Sequence, residues 1–215
     1  YHETDLVNIG KLGRRWFGED FKSTNVQTFN FTIQNTVSGT QLSIKATGAA
    51  VSNVATTFDI EANGTAIGSF SPASLGSYTA YSAAETSMIF PAADNVAIKI
   101  TYDNKGVPTS LGYLDYISIL SKRNLTGYGK QFRFENKSSA TGTGLATYQF
   151  SNSSGITQVW NITDIYNIGK ISNSSANLSF KDNLGSLQKY LVIDNADLYT
   201  PIVDTNSKVS NQDLK

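Results

Sequence analysis

Apolar and polar residues alternate with a period of two along most of this chain. In Thr28-Phe29-Asn30-Phe31-Thr32-Ile33-Gln34 every second residue is apolar, which describes a strand with one face buried and one solvated. The same alternation recurs over residues 42–46, 58–62 and 97–102. Asn63-Gly64 separates residues 58–62 from another short run at 65–70. Asn and Gly both tolerate positive φ, so this pair predicts a type I′ hairpin. Residues 103–108, Asp-Asn-Lys-Gly-Val-Pro, read as a turn-rich loop. Residues 111–120 are more uniformly apolar and predict a central strand.

A second set of strands is predicted over residues 131–135, 146–150, 158–162, 177–181 and 189–193, separated by Gly- and Ser-rich stretches. The only helical pieces that the pattern admits are near Asp5–Ile9, where Thr4 can cap, and a turn around residues 163–166. Short strands at this spacing, without a long helical period, predict an all-β fold. The expected architecture is a β-sandwich of the galactose-binding-like jelly-roll kind, followed by a second, smaller β-sandwich subdomain. The expected divisions are a lead-in segment at 1–24, the first sandwich at 25–122, the second at 123–203 and a polar linker at 204–215. Tyr1-His2-Glu3 is not the start of a primary translation product, so the chain reads as an internal fragment of a larger protein.

Composition narrows the classes. Among 215 residues, 17 Lys and Arg balance 17 Asp and Glu, and no dense basic run occurs. Such a chain gains little from counterion release, so nucleic acid is not an expected partner. Cysteine is absent, which removes disulfides, thiolate metal sites and a catalytic thiol. The apolar runs fall short of the roughly 18–20 residues that span a bilayer as a helix, so no transmembrane segment is expected.

Little catalytic chemistry can be assembled from the rest. His2 is the single histidine and reads as a solvated side chain near a cut end; alone it completes neither a Ser-His-Asp triad nor a metal site. Glu19, Asp20 and Asp115 are the remaining carboxylates of interest. Glu19 and Asp20 read as surface charges and Asp115 as a partner of neighbouring backbone. A calcium ion held by Asp115 with Glu19 or Asp20 is the competing reading. Trp16, Trp160 and the tyrosines read first as core; the alternative is a sugar-stacking face. Asn-x-Ser/Thr triplets at Asn30, Asn63, Asn124, Asn136, Asn152, Asn161, Asn173 and Asn177 signify glycosylation only in a eukaryotic host. No catalytic residue, cofactor site or metal site is assigned.

Three segments resemble one family. Tyr1-His2-Glu3-Thr4-Asp5-Leu6-Val7-Asn8 leads into Gly13-Arg14-Arg15-Trp16-Phe17-Gly18-Glu19-Asp20-Phe21; Tyr113-Leu114-Asp115-Tyr116-Ile117 and Arg123 precede Gln131-Phe132-Arg133-Phe134; and Val159-Trp160-Asn161-Ile162-Thr163-Asp164 follows. These are similar, in order, to stretches of the PorU proteins, the cell-surface sortases of the Bacteroidetes type IX secretion system. Asn161 stands where that family usually has Asp. The resemblance implies a parent with a gingipain-like cysteine protease domain downstream, which removes C-terminal sorting domains from exported cargo and helps join cargo to surface lipopolysaccharide. It implies PorV, PorQ, PorZ and cargo sorting domains as partners, and an outer-membrane surface location. This chain would be the non-catalytic β-rich region before the protease. The runner-up is a carbohydrate-binding jelly roll of a surface protein; an adhesin repeat is a third class, but no internal repetition is present.

Overall fold

The computed structural model describes residues 1–203 apart from Leu12, Arg14 and Ser174. The expected linker at 204–215 lies outside the described residues. The chain divides into two compact units, Tyr1–Asn124 and Leu125–Lys215. Both are built from antiparallel strands, half-buried as the period-two pattern predicts.

The first unit contains β1 (His2–Glu3), β2 (Val26–Thr32), β3 (Gln41–Val51), β4 (Thr57–Ala62), β5 (Thr65–Phe70), β6 (Ser82–Pro91), β7 (Asn95–Asp103) and β8 (Leu111–Leu120). They form two four-stranded sheets, in the orders β1-β8-β3-β6 and β2-β7-β4-β5. Every connection crosses between the sheets except the β4–β5 hairpin, where Asn63 (φ 47°) and Gly64 (φ 80°) take the expected positive-φ turn. The inward residues of the two sheets make one core. Leu42, Ile44, Met88, Leu114 and Ile117 from one sheet meet Phe29, Phe58, Ile60, Phe70, Ile98, Ile100 and Tyr102 from the other. Each such side chain contributes about 1.5–3 kcal/mol by leaving water, which is how a chain without disulfides holds a sandwich together.

The second unit contains β9 (Phe132–Glu135), β10 (Leu145–Gln149), β11 (Ile156–Asn161), β12 (Gly169–Ser172), β13 (Ser179–Asn183) and β14 (Lys189–Asp194), with single 3-10 turns at Lys137–Ala140 and Asn195–Asp197. A four-stranded sheet, β12-β11-β14-β9, faces the β10–β13 pair. The core between them is aromatic: Phe132, Tyr148, Phe150, Phe180 and Tyr190 are buried with Val159 and Val192. Phe134 stacks on Tyr190 at 4.8 Å and Tyr148 on Phe180 at 5.0 Å.

One local expectation fails, one succeeds, and β6 is a strand that the pattern does not predict. Residues 5–9 are not helical; Val7 instead bridges to Phe17. β6 was not visible in the pattern, because its inward residues Ala84 and Thr86 are small or polar and mask the alternation. The turn at 163–166 is present, closed by the Asn167 amide donating to the Asp164 carbonyl at 3.1 Å.

Candidate functional site

The lead-in residues fold back on themselves and lie along the free edge of β8. The Val7 and Phe17 amides exchange hydrogen bonds with each other's carbonyls at 2.9 and 2.8 Å. The near arm pairs His2 with Ile117 and Glu3 with Tyr116. In the far arm the Gly18 amide donates to the Leu114 carbonyl at 2.7 Å, the Leu114 amide to the Glu19 carbonyl at 2.9 Å, and the Phe21 amide to the Gly112 carbonyl at 2.9 Å. A Cβ at position 18 would collide with the Thr4 side chain and carbonyl, so glycine lets the two arms close together.

Opposite this strap, β8 carries a bulge. Thr47 of β3 faces Tyr116 while Gly48 faces Leu114, which leaves Asp115 as the extra residue. Leu114 and Ile117 therefore both face the core, and Asp115 is re-aimed toward the strap. Its side chain is only 9% exposed and is met by Arg15, whose Nη2 and Nε donate to Oδ2 at 2.6 and 3.1 Å. The same guanidinium lies 5.4 Å from the ring centroid of Phe17. Phe17 is fully buried yet stands outside the main core, packed 5.1 Å from Tyr81 and 6.4 Å from Tyr113. Phe17, Tyr81 and Tyr113 thus make a small second cluster, capped by a charge pair.

His2 is not the solvated end group expected of it. Its Nε2 lies 2.8 Å from Glu19 Oε1, which also accepts from Thr4 Oγ1 at 3.1 Å, and its ring packs 4.7 Å from Phe29. Glu19 is likewise no free surface charge: its Oε2 is buried without a hydrogen-bond partner among the described residues. Asp20 turns elsewhere and accepts from the Lys22 amide at 3.0 Å. Tyr1 stacks on Tyr116 and donates to Glu3, and that hydrogen bond pushes its phenol up to about 12. The carboxylates considered for calcium thus go to separate partners. Among the described residues no three His, Cys, Asp or Glu side chains converge on a point. The arrangement fastens the strap to β8.

In the second unit Asn161 ends β11 in a polar network. Its Nδ2 donates to Gln188 Oε1 at 2.9 Å and to Asp182 Oδ2 at 3.4 Å. Thr163 Oγ1 donates to Gln188 Oε1 at 3.0 Å and accepts from the Lys189 amide at 2.9 Å. The Tyr190 hydroxyl donates to Asp182 Oδ2 at 2.6 Å; burial and then this carboxylate push the phenol up. The motif singles out Asn161, Thr163 and Asp164 but not Asp182 or Gln188, the partners of Asn161; Asp164 stands outside this network and accepts from the Tyr166 amide at 2.9 Å. Trp16 is 45% exposed in the first unit, and Trp160 is half-buried in the second, its Nε1 donating to Gln158 Oε1 at 2.7 Å.

Comparison with known proteins places the backbone. No protein-family model and no curated protein matches the chain. The crystal structure of dimeric latent PorU from Porphyromonas gingivalis matches with a TM-score of 0.75 and 18% identity over 90% of this chain. The chain spans only 20% of that PorU chain. A carbohydrate-binding module, CBM36 in complex with calcium and xylotriose, matches over 44% of this chain and 72% of its own, with 19% identity and a TM-score of 0.33, a likeness too slight to carry any inference. The fold is that of a region of PorU, nearly all β and arranged in four antiparallel sheets. No helix of the described residues is long and apolar enough to cross a membrane.

Proposed function

We propose that this chain is the non-catalytic β-sandwich region of a PorU-like type IX secretion sortase. It would hold the protease domain or present a docking face to cargo or to PorV. The observation that carries this reading is the backbone likeness to PorU over 90% of the chain. The chemistry supports it from the other side: cysteine is absent, and the single histidine is engaged with Glu19. The parent's cysteine-protease activity, its processing of sorting domains, its part in joining cargo to lipopolysaccharide, and export to the outer-membrane surface all belong to this proposal. The experiment is to delete residues 1–203 from the full-length protein, and separately to reverse surface charges within them. The expected result is loss of cargo processing or of PorV association while the protease domain remains folded. Normal processing together with unchanged PorV association refutes the reading.

A further inference from the structure

The outer face of the β12-β11-β14-β9 sheet carries a row that the register sets side by side. Lys170 and Leu191 are the two Cα partners of Trp160, and Leu191 is in turn the partner of Arg133. Their neighbours along the strands, Val159, Val192, Phe132 and Tyr190, are in the core, so strand alternation puts this row on the opposite face. At roughly 4.8 Å per strand the row runs about 14 Å from Lys170 to Arg133. Lys189 shares the face, two pairs further on and opposite Glu135.

Two properties set this row apart. The indole of Trp160 is tied by its Nε1 to Gln158, which fixes its orientation, and it remains only half-buried. The charged ends of Arg133, Lys170 and Lys189 are in exposed residues, and none forms an ion pair or side-chain hydrogen bond among the described residues. The face thus has an apolar centre, Trp160 and Leu191, and a rim of three cations, Arg133, Lys170 and Lys189, with one carboxylate, Glu135, beside Lys189. Trp and Arg dominate the energetics of protein interfaces, and unpaired rim charges steer a partner of opposite sign.

We propose that this face is a docking surface for an acidic polypeptide segment, with Trp160 as its anchor and Arg133, Lys170 and Lys189 reading the partner's carboxylates. The unpaired cations favour a partner that carries carboxylates over a neutral sugar. The proposal deepens the docking part of the proposed function, but its test does not depend on it. Peptide binding is read on the present chain, whereas cargo processing is read in the full-length protein, so either can fail alone.

The test uses the whole chain with Trp16→Phe, so that Trp160 is the one fluorescent indole. It is titrated with a peptide of alternating Glu and Leu, with matched Gln-Leu and Lys-Leu peptides, and with oligogalacturonate. The expected result is a saturable change in Trp160 emission with the Glu-Leu peptide that weakens with salt. Arg133→Glu with Lys170→Glu should weaken it by roughly tenfold or more, while Lys181→Glu, on the other sheet, leaves it unchanged. The charge reversals lie on exposed side chains and leave the core residues unchanged, so they decide the matter without disturbing the fold. No binding by the Glu-Leu peptide, equal binding by the Gln-Leu or Lys-Leu peptide, indifference to the reversals, or binding by oligogalacturonate alone each overturns the proposal.

Discussion

Phe17→Ala separates the strap from the sandwich beneath it. Phe17 is fully buried, but its ring partners are Tyr81 and Tyr113, and it does not belong to the main core. Losing the ring removes about 2–3 kcal/mol of burial, and each aromatic contact adds about 0.5–1.5 kcal/mol. The strap's other attachments, the Arg15–Asp115 pair and the backbone bonds to β8, stay in place. A loss of about 3 kcal/mol in the strap's closing free energy raises its open population by roughly a hundredfold. Hydrogen exchange at the Phe17 and Gly18 amides should accelerate by about that factor. Exchange at Ile44 and Ile100, whose side chains are buried in the sandwich core, should change far less. Residues 125–203 form a separate unit and serve as the internal control. If Ile44 and Ile100 accelerate as much as Gly18, Phe17 belongs energetically to the main core. If Gly18 exchange does not change, the strap is held by its charge pairs and backbone alone.

Three further outcomes are expected. In a double-mutant cycle of Arg15→Ala and Asp115→Ala, unfolding should give a coupling of about 1 kcal/mol, below the value of a fully buried pair because the Arg15 side chain is 42% exposed. Arg15→Lys should recover little of it, since Lys cannot place two donors on Asp115 Oδ2. Asp94 accepts from the Thr36 hydroxyl and amide, which hold its carboxyl below the usual range. Its contribution is present above the ordinary carboxylate pKa of about 3.9 and lost as pH falls below that, so Asp94→Asn should flatten the acid limb of a thermal-melting profile. Tyr190 has its phenol pushed up by burial and Asp182, so the protonated form is favoured in the fold. Stability should fall as pH rises above the ordinary phenol pKa of about 10. Tyr190→Phe should remove that fall while costing roughly 1–2 kcal/mol at neutral pH, measured by denaturant unfolding.

The sequence alone determined the all-β class, most strand positions and the Asn63-Gly64 hairpin. These depend on side-chain alternation and turn chemistry, which are local. The lack of any thiol chemistry was equally legible, because it depends on which residue types exist. Nearly everything at the site was not. The bulge that re-aims Asp115 comes from a slip between β3 and β8 that no single strand records. Arg15 meets Asp115 across a hundred positions of chain. His2 and Glu19 looked like free polar residues until the strap closed on itself. In the second unit, Trp160 and Lys170 are ordinary strand residues in sequence, and only pairing puts them in one row with Arg133. Alternation says which face a residue takes on its own strand. Which residues share that face across strands is decided by register and by crossovers between sheets, and those follow from packing the core as a whole.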